Sequence, residues 1–315
     1  MRYTEQEMNS DLLDQPPHSG EIDEIKKIFI CSTPRSGSYM LCRYMINAGL
    51  GVPHEYFNPI IMREIAPRIG LEDSVSGLKW RYRSPADYLP LGKSRRKAEV
   101  DFLKKYIDAI VPRRCRGGVF AAKIHFDQYL KVLDNPVGYS FLRGGLFVHL
   151  VRDNLLGQAI STHFANLTGR WGIDGAVTTV PAVRPKFFDV AAIDRTLEDI
   201  AEQNRGWRVL LARNGVSAIS ITYERLCEND PFEFVVLLAK RLGIETGLLC
   251  KGYSEAGSAY REGDLDIPRK NEVARRYVEA VRKFRGPPKI KSASLPPIFD
   301  VTANNHVLFA DLPDD

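Results

Sequence analysis

The chain has 315 residues, and its 44 Lys+Arg against 39 Asp+Glu leave a formal net charge of only +5. Hydrophobic residues at 44% and charged residues at 26% are ordinary globular values, which excludes a largely disordered, collagen-like or coiled-coil chain. So weak a positive field does not mark a nucleic-acid-binding protein, and an anionic ligand accounts for it equally well.

Residues 1–25 are expected to be a flexible segment: they are rich in Asp and Glu and lack the roughly 7–15 apolar residues of a secretory leader. No run approaches the ~20 apolar residues that cross a bilayer, so a soluble chain without an integral membrane segment is expected. Residues 26–285 read as one domain, and 286–315, with Pro287, Pro288, Pro296 and Pro297, as an extended tail.

Taken in order, Lys26-Lys-Ile-Phe-Ile-Cys31 is a buried-strand run. A turn leads to Ser38–Ala48, where Met40, Leu41, Tyr44, Met45 and Ala48 form a helical stripe closed by Gly49. Residues 70–117 and 172–190 read as irregular insertions, with 81–117 basic. Gly118–Ile124 and Gly145–Val151 are further strands, and the second leads into a helix from Asn154 to Leu167. A long helix from Asp194 to Arg213 stops at Asn214-Gly215, Ser217–Thr222 is the next strand, and Pro231 opens a helix that runs to Gly243. This alternation predicts an α/β fold: a P-loop-like, mostly parallel sheet flanked by helices on both faces, with its ligand beyond the carboxyl ends of the strands.

The five cysteines, at 31, 42, 115, 227 and 250, form no Cys-x-x-Cys pair and point to a reducing, cytoplasmic setting. The six histidines show no metal-ligand spacing, so no metal is expected. Chemistry concentrates instead in Cys31-Ser-Thr-Pro-Arg-Ser-Gly-Ser38, between the first strand and the first helix. Short residues let the backbone N–H groups of such a turn converge on an anion, and the helix adds its partial positive end. Arg35 supplies a full charge and a planar fork of donors, and the hydroxyls of Thr33, Ser36 and Ser38 complete the ring. A Walker A loop would need Gly-Lys-Ser/Thr, whereas Gly37 is followed by Ser38.

Thr33-Pro-Arg-Ser-Gly-Ser38 resembles the 5′-phosphosulfate loop of sulfotransferases, and Met40-Leu-Cys42 through Gly51-Val-Pro-His-Glu-Tyr-Phe57 resembles the bacterial trehalose 2-sulfotransferase family. His149 to Ser161, followed by Leu167-Thr-Gly-Arg-Trp171, is similar to that family's arginine-to-serine segment, which grips the 3′-phosphate of 3′-phosphoadenosine 5′-phosphosulfate (PAPS). Arg152, at a strand end, and Ser161, nine positions later on a helix, can converge on one phosphate. Weaker echoes at Val119–Ile124 and Ile221–Leu226 extend the resemblance over most of 26–245, and Arg269 lies in a basic Ile267-Pro-Arg-Lys-Asn271 segment like one that closes over the nucleotide.

The resemblance implies metal-free, in-line sulfuryl transfer from PAPS to a hydroxyl of a carbohydrate or glycolipid, trehalose among them, with adenosine 3′,5′-bisphosphate as product. It implies a homodimer as well. Thr33, Pro34, Arg35, Ser36, Gly37, Ser38, Arg152, Ser161 and Arg269 are the expected nucleotide contacts, and Arg35 also holds charge during transfer. Glu55 is the expected base, with His54 and then His125 as substitutes and Lys123 within reach of the transferred group. Trp80, Tyr82 and Trp171 are candidates for a sugar pocket. A nucleotide kinase or a catalytically silent nucleotide-binding protein are the alternatives.

Overall fold

The computed structural model describes residues 24–71, 93–169, 171, 188–250 and 267–285. The expected N-terminal segment before residue 24, Trp80, Tyr82 and the 286–315 tail lie outside the described residues.

Strand β1 (Lys26–Ser32) buries both of its faces, as an unbroken apolar run does at the centre of a parallel sheet. Phe29 and Cys31 enter one core, and Ile28 and Ile30 enter the other. On β1's two edges lie β3 (Val119–His125) and β4 (Leu146–Val151), both parallel to it, and β5 (Ile219–Thr222) continues the sheet beyond β4. The two-residue β2 (Cys115–Arg116) closes the other edge antiparallel to β3. Where β2 is too short to cover β3, His54 forms a parallel bridge with Ala122.

Helices cover both faces. Against Ile28 and Ile30 pack α1 (Ser38–Ala48), α7 (Tyr223–Glu228) and α8 (Pro231–Arg241). The opposite core receives α2 (Pro59–Ile65), α3 (Lys93–Arg113), α4 (Pro136–Leu142) and the C-terminal part of α6 (Val190–Arg213). A third cluster joins α5 (Leu155–Thr168), α6 and α9 (Ile267–Arg285). No helix among the described residues is long and apolar enough to cross a membrane.

The mostly parallel α/β sandwich is as expected, but the described part of the 70–117 insertion is not irregular. Helix α3 fills it, burying Phe102, Leu103, Tyr106, Ile107, Ile110 and Val111 at helical spacing, a stripe that the surrounding Lys and Arg obscure. Helix α6 also begins one turn earlier than expected, because Asp189 caps it by accepting the Ala192 N–H (3.0 Å).

The register aligns the strand ends, pairing Ser32 with His125 and Val151 with Thr222. The segments that leave those ends therefore open on one side of the sheet.

Candidate active site

The turn after β1 is fixed from three sides. Gln158, buried on α5, donates both hydrogens of its amide to it, one to Thr33 Oγ1 (2.8 Å) and one to the Pro34 carbonyl (2.7 Å). Trp207 Nε1 donates to the Ser32 carbonyl (3.1 Å) from α6. Tyr223, the first residue after β5, lies against Gly37. A Cβ at Gly37 would fall 2.3 Å from the Tyr223 ring, and the backbone there is left-handed at φ 86°. Gly37→Ala is accordingly expected to lower folding stability by about 1–3 kcal/mol, measured by chemical denaturation, and to displace the Tyr223 ring.

Gly37 caps α1 without a side chain, and the first turn of that helix holds no acidic residue. Its amide dipoles therefore face the turn without a competing carboxylate. Ser38 is buried in the first turn, and the fully buried Ser36 Oγ makes no hydrogen bond among the described residues. Leaving such a hydroxyl unsatisfied costs about 1–3 kcal/mol, which an anion's oxygen removes. Arg35 adopts φ 62°, the left-handed region that side chains avoid. Its Nε donates to Ser161 Oγ (3.1 Å), and Nη1 donates to the Trp171 carbonyl.

Arg152, just past β4, reaches the same place. Its Nη1 donates to the Arg35 carbonyl (3.4 Å), and its guanidinium lies 4.6 Å over the Tyr223 ring. Arg35, Arg152 and Ser161 thus meet in one crevice, over an aromatic ring that also touches Gly37. Glu224, which no local pattern marks in the sequence, orients this corner: it accepts the N–H groups of Asp153 (3.0 Å) and Asn154 (3.2 Å) and lies 3.9 Å from Arg152 Nε. Arg269 is exposed on α9, whereas its neighbour Lys270 is buried, with Nζ 5.8 Å from the Phe164 ring of α5. One residue is a rotation of about 100° on a helix, so a basic run alone does not identify the inward-facing cation.

Beside this crevice, at the end of β3, lies a second polar cluster. Glu55 Oε1 pairs with Lys123 Nζ (2.7 Å) and faces His125 Nε2 (3.4 Å), and Oε2 accepts from Gln128 Nε2 (2.7 Å) and Asn58 Nδ2 (2.8 Å). His125 Nδ1 lies 3.2 Å from the Ser32 carbonyl, and Lys123 Nζ lies 3.5 Å from the Tyr39 ring of α1. The cluster is therefore tied to both ends of the turn that follows β1. Burial alone would raise the Glu55 carboxyl, but the Lys123 ammonium and His125 outweigh it and hold Glu55 well below the usual carboxylate range. His54 is buried against the Tyr56 ring (5.8 Å), neither of its ring nitrogens is hydrogen-bonded among the described residues, and burial pulls its pKa down to about 3. It is neutral at physiological pH.

A mostly parallel α/β sheet thus carries two arginines at its strand ends, beside a helix start that has no side-chain cap and no acidic residue in its first turn. The family model of Stf0 sulphotransferase matches residues 27–255, and the chain belongs to that family. Membership makes it a sulfuryl transferase. No curated protein matches the chain.

Proposed function

We propose that this chain moves the sulfuryl group of PAPS to a hydroxyl of a carbohydrate or glycolipid acceptor, a trehalose-like sugar among them. The observation that carries the reading is the meeting of Arg35 and Arg152, from two different strand ends: Arg152 Nη1 donates to the Arg35 backbone carbonyl (3.4 Å), and Arg35 Nε donates to Ser161 Oγ (3.1 Å). Two cations so arranged suit a nucleotide that bears anionic groups at both ends of its ribose. Thr33 to Ser38 would hold the 5′-phosphosulfate, with Ser36 Oγ as a ready donor, and Arg152 and Ser161 the 3′-phosphate. PAPS, when bound, supplies an activated sulfuryl group.

The protein's share is position and charge. Arg35 and the turn's amides hold the negative charge that grows on the departing phosphate. Glu55 takes the proton of the acceptor hydroxyl, and the order of its neighbours suits this: Lys123 keeps it ionised until an anion competes for that ammonium. Trp171, 40% exposed on the rim, offers a face on which a sugar ring can stack. The resemblance to trehalose 2-sulfotransferases supports a sugar acceptor and a homodimer, and nothing in the donor chemistry calls for a metal.

The test is ligand-induced stabilisation. Adenosine 3′,5′-bisphosphate at about 100 times its Kd adds about 2.7 kcal/mol, a rise in Tm of roughly 5–10 °C for a domain of this size, with or without Mg²⁺. A shift seen only with Mg²⁺ and ATP would overturn the proposal in favour of a kinase. Acceptors are then ranked by transfer of labelled sulfuryl from PAPS to trehalose, other sugars and glycolipids.

A further inference from the structure

The two amides on Glu55 can each face it in only one way. Gln128 Oε1 accepts the His125 peptide N–H (3.1 Å). A peptide N–H can only donate, so the oxygen of this amide must lie there, and its NH₂ must be the group 2.7 Å from Glu55 Oε2. Asn58 is fixed by the same logic. Its Oδ1 caps α2 by accepting the Ile60 N–H (3.0 Å), which leaves Nδ2 to donate to Glu55 Oε2 (2.8 Å). Two neutral amides, each locked by a backbone N–H, thus converge on one oxygen, while Lys123 and His125 both lie on the other.

We infer that Asn58 and Gln128 are positioning residues that divide the work of the carboxylate: Oε2 is an anchor held as an acceptor, and Oε1 is the oxygen that takes the proton. The inference rests on the reading of Glu55 as the base. In that step the acceptor's O–H bond breaks, the proton passes to Oε1, and the electron pair stays on the acceptor oxygen as the nucleophile. The groups on Oε1 suit the task because one of them can leave. Lys123 carries its ammonium on a flexible stem, which an arriving anion can attract, whereas the amides on Oε2 are fixed to backbone. Among the described residues, the charged and titratable groups around Glu55 are Lys123 and His125 from β3, His54 beside it in the chain and the Cys42 thiol of α1.

Asn58→Asp isolates the anchor. A carboxylate still accepts the Ile60 N–H, so the helix cap survives, but the donor to Oε2 becomes a second negative charge. Gln128→Met removes the other donor at similar length, and because it also leaves the His125 N–H without a partner it is the variant at greater risk of unfolding. The probe is ¹³C NMR of the ligand-free protein labelled at glutamate Cδ, with Glu55 assigned from the Glu55→Gln spectrum. In Asn58→Asp the Glu55 titration is expected to rise by about one pH unit or more, and the acidic limb of the pH profile of kcat/KM should rise with it. Turnover near neutral pH should fall about tenfold or more through lost alignment, with Tm within a few degrees of the parent. An unmoved Glu55 titration overturns the inference, as does increased turnover, which would make Oε2 the reactive oxygen. Undiminished transfer by Glu55→Gln would instead remove the base assignment beneath it, whatever the NMR result.

Discussion

Arg35→Gly is expected to lose sulfuryl transfer by about a thousandfold and still melt within a few degrees of the parent. Arg35 sits at φ 62°, an arrangement that costs a side-chain-bearing residue about 1–2 kcal/mol and that glycine adopts freely. Against that gain stand the greater freedom of glycine in the unfolded chain, about 0.5–1 kcal/mol, and the lost bonds to Ser161 and the Trp171 carbonyl. Folding is therefore nearly unchanged. Transfer is not, since removing a single preorganised donor from developing negative charge costs about 10²–10³ in kcat, and a guanidinium is a stronger, charge-assisted donor. Arg35→Ala keeps the strain, so it should be equally inactive and less stable than Arg35→Gly. That order separates function from folding: a strained residue retained at such a position points to use. Turnover within tenfold of the parent in Arg35→Gly would take Arg35 out of the mechanism.

The second large effect falls on Glu55. Glu55→Gln leaves Lys123, 2% exposed, without its counter-charge, and breaking a buried pair from one side costs about 3–5 kcal/mol. The single variant is thus expected to be both unstable and inactive, with turnover down at least about a hundredfold. Glu55→Gln combined with Lys123→Met removes the stranded ammonium and should recover most of the stability but none of the activity. Recovery of activity in the double variant would mean that the glutamate serves only the fold. The pair also sets an acid dependence. The folded carboxyl titrates below its ordinary value of 4.5, so its full stabilisation is present above pH 4.5 and is lost as pH falls through the folded value. Denaturation midpoints measured from pH 7 to pH 3 should fall more steeply for the parent than for the double variant.

The sheet was legible because its strands are local patterns. Lys26–Cys31 and Gly145–Val151 are short apolar runs, and Ser38–Ala48 carries its own stripe and terminal glycine. Arg35 stood out by its place in the turn, Arg152 and Ser161 by the resemblance of residues 149–161 to the family's segment, and the structure brings the three together. Helix α3 was hidden by charge, its apolar stripe being a minority within a basic segment. The supports of the site were hidden by distance along the chain. Gln158 and Thr33 are 125 residues apart, and Gln128 and Glu55 are 73 apart. A glutamine in a helix carries no local sign of the partner it will meet, so only the assembled sheet reveals these contacts.

The brace supplied by Gln158 bears on how the pocket meets its ligand. With Thr33 and Pro34 already fastened to α5, the entropy of shaping that turn is spent during folding and does not recur at each encounter. Preorganisation of this kind leaves more of the intrinsic attraction available as affinity. On the proposed reading, discrimination among anions then comes from how well their oxygens fit a braced mould, since the mould does not adapt itself to each visitor.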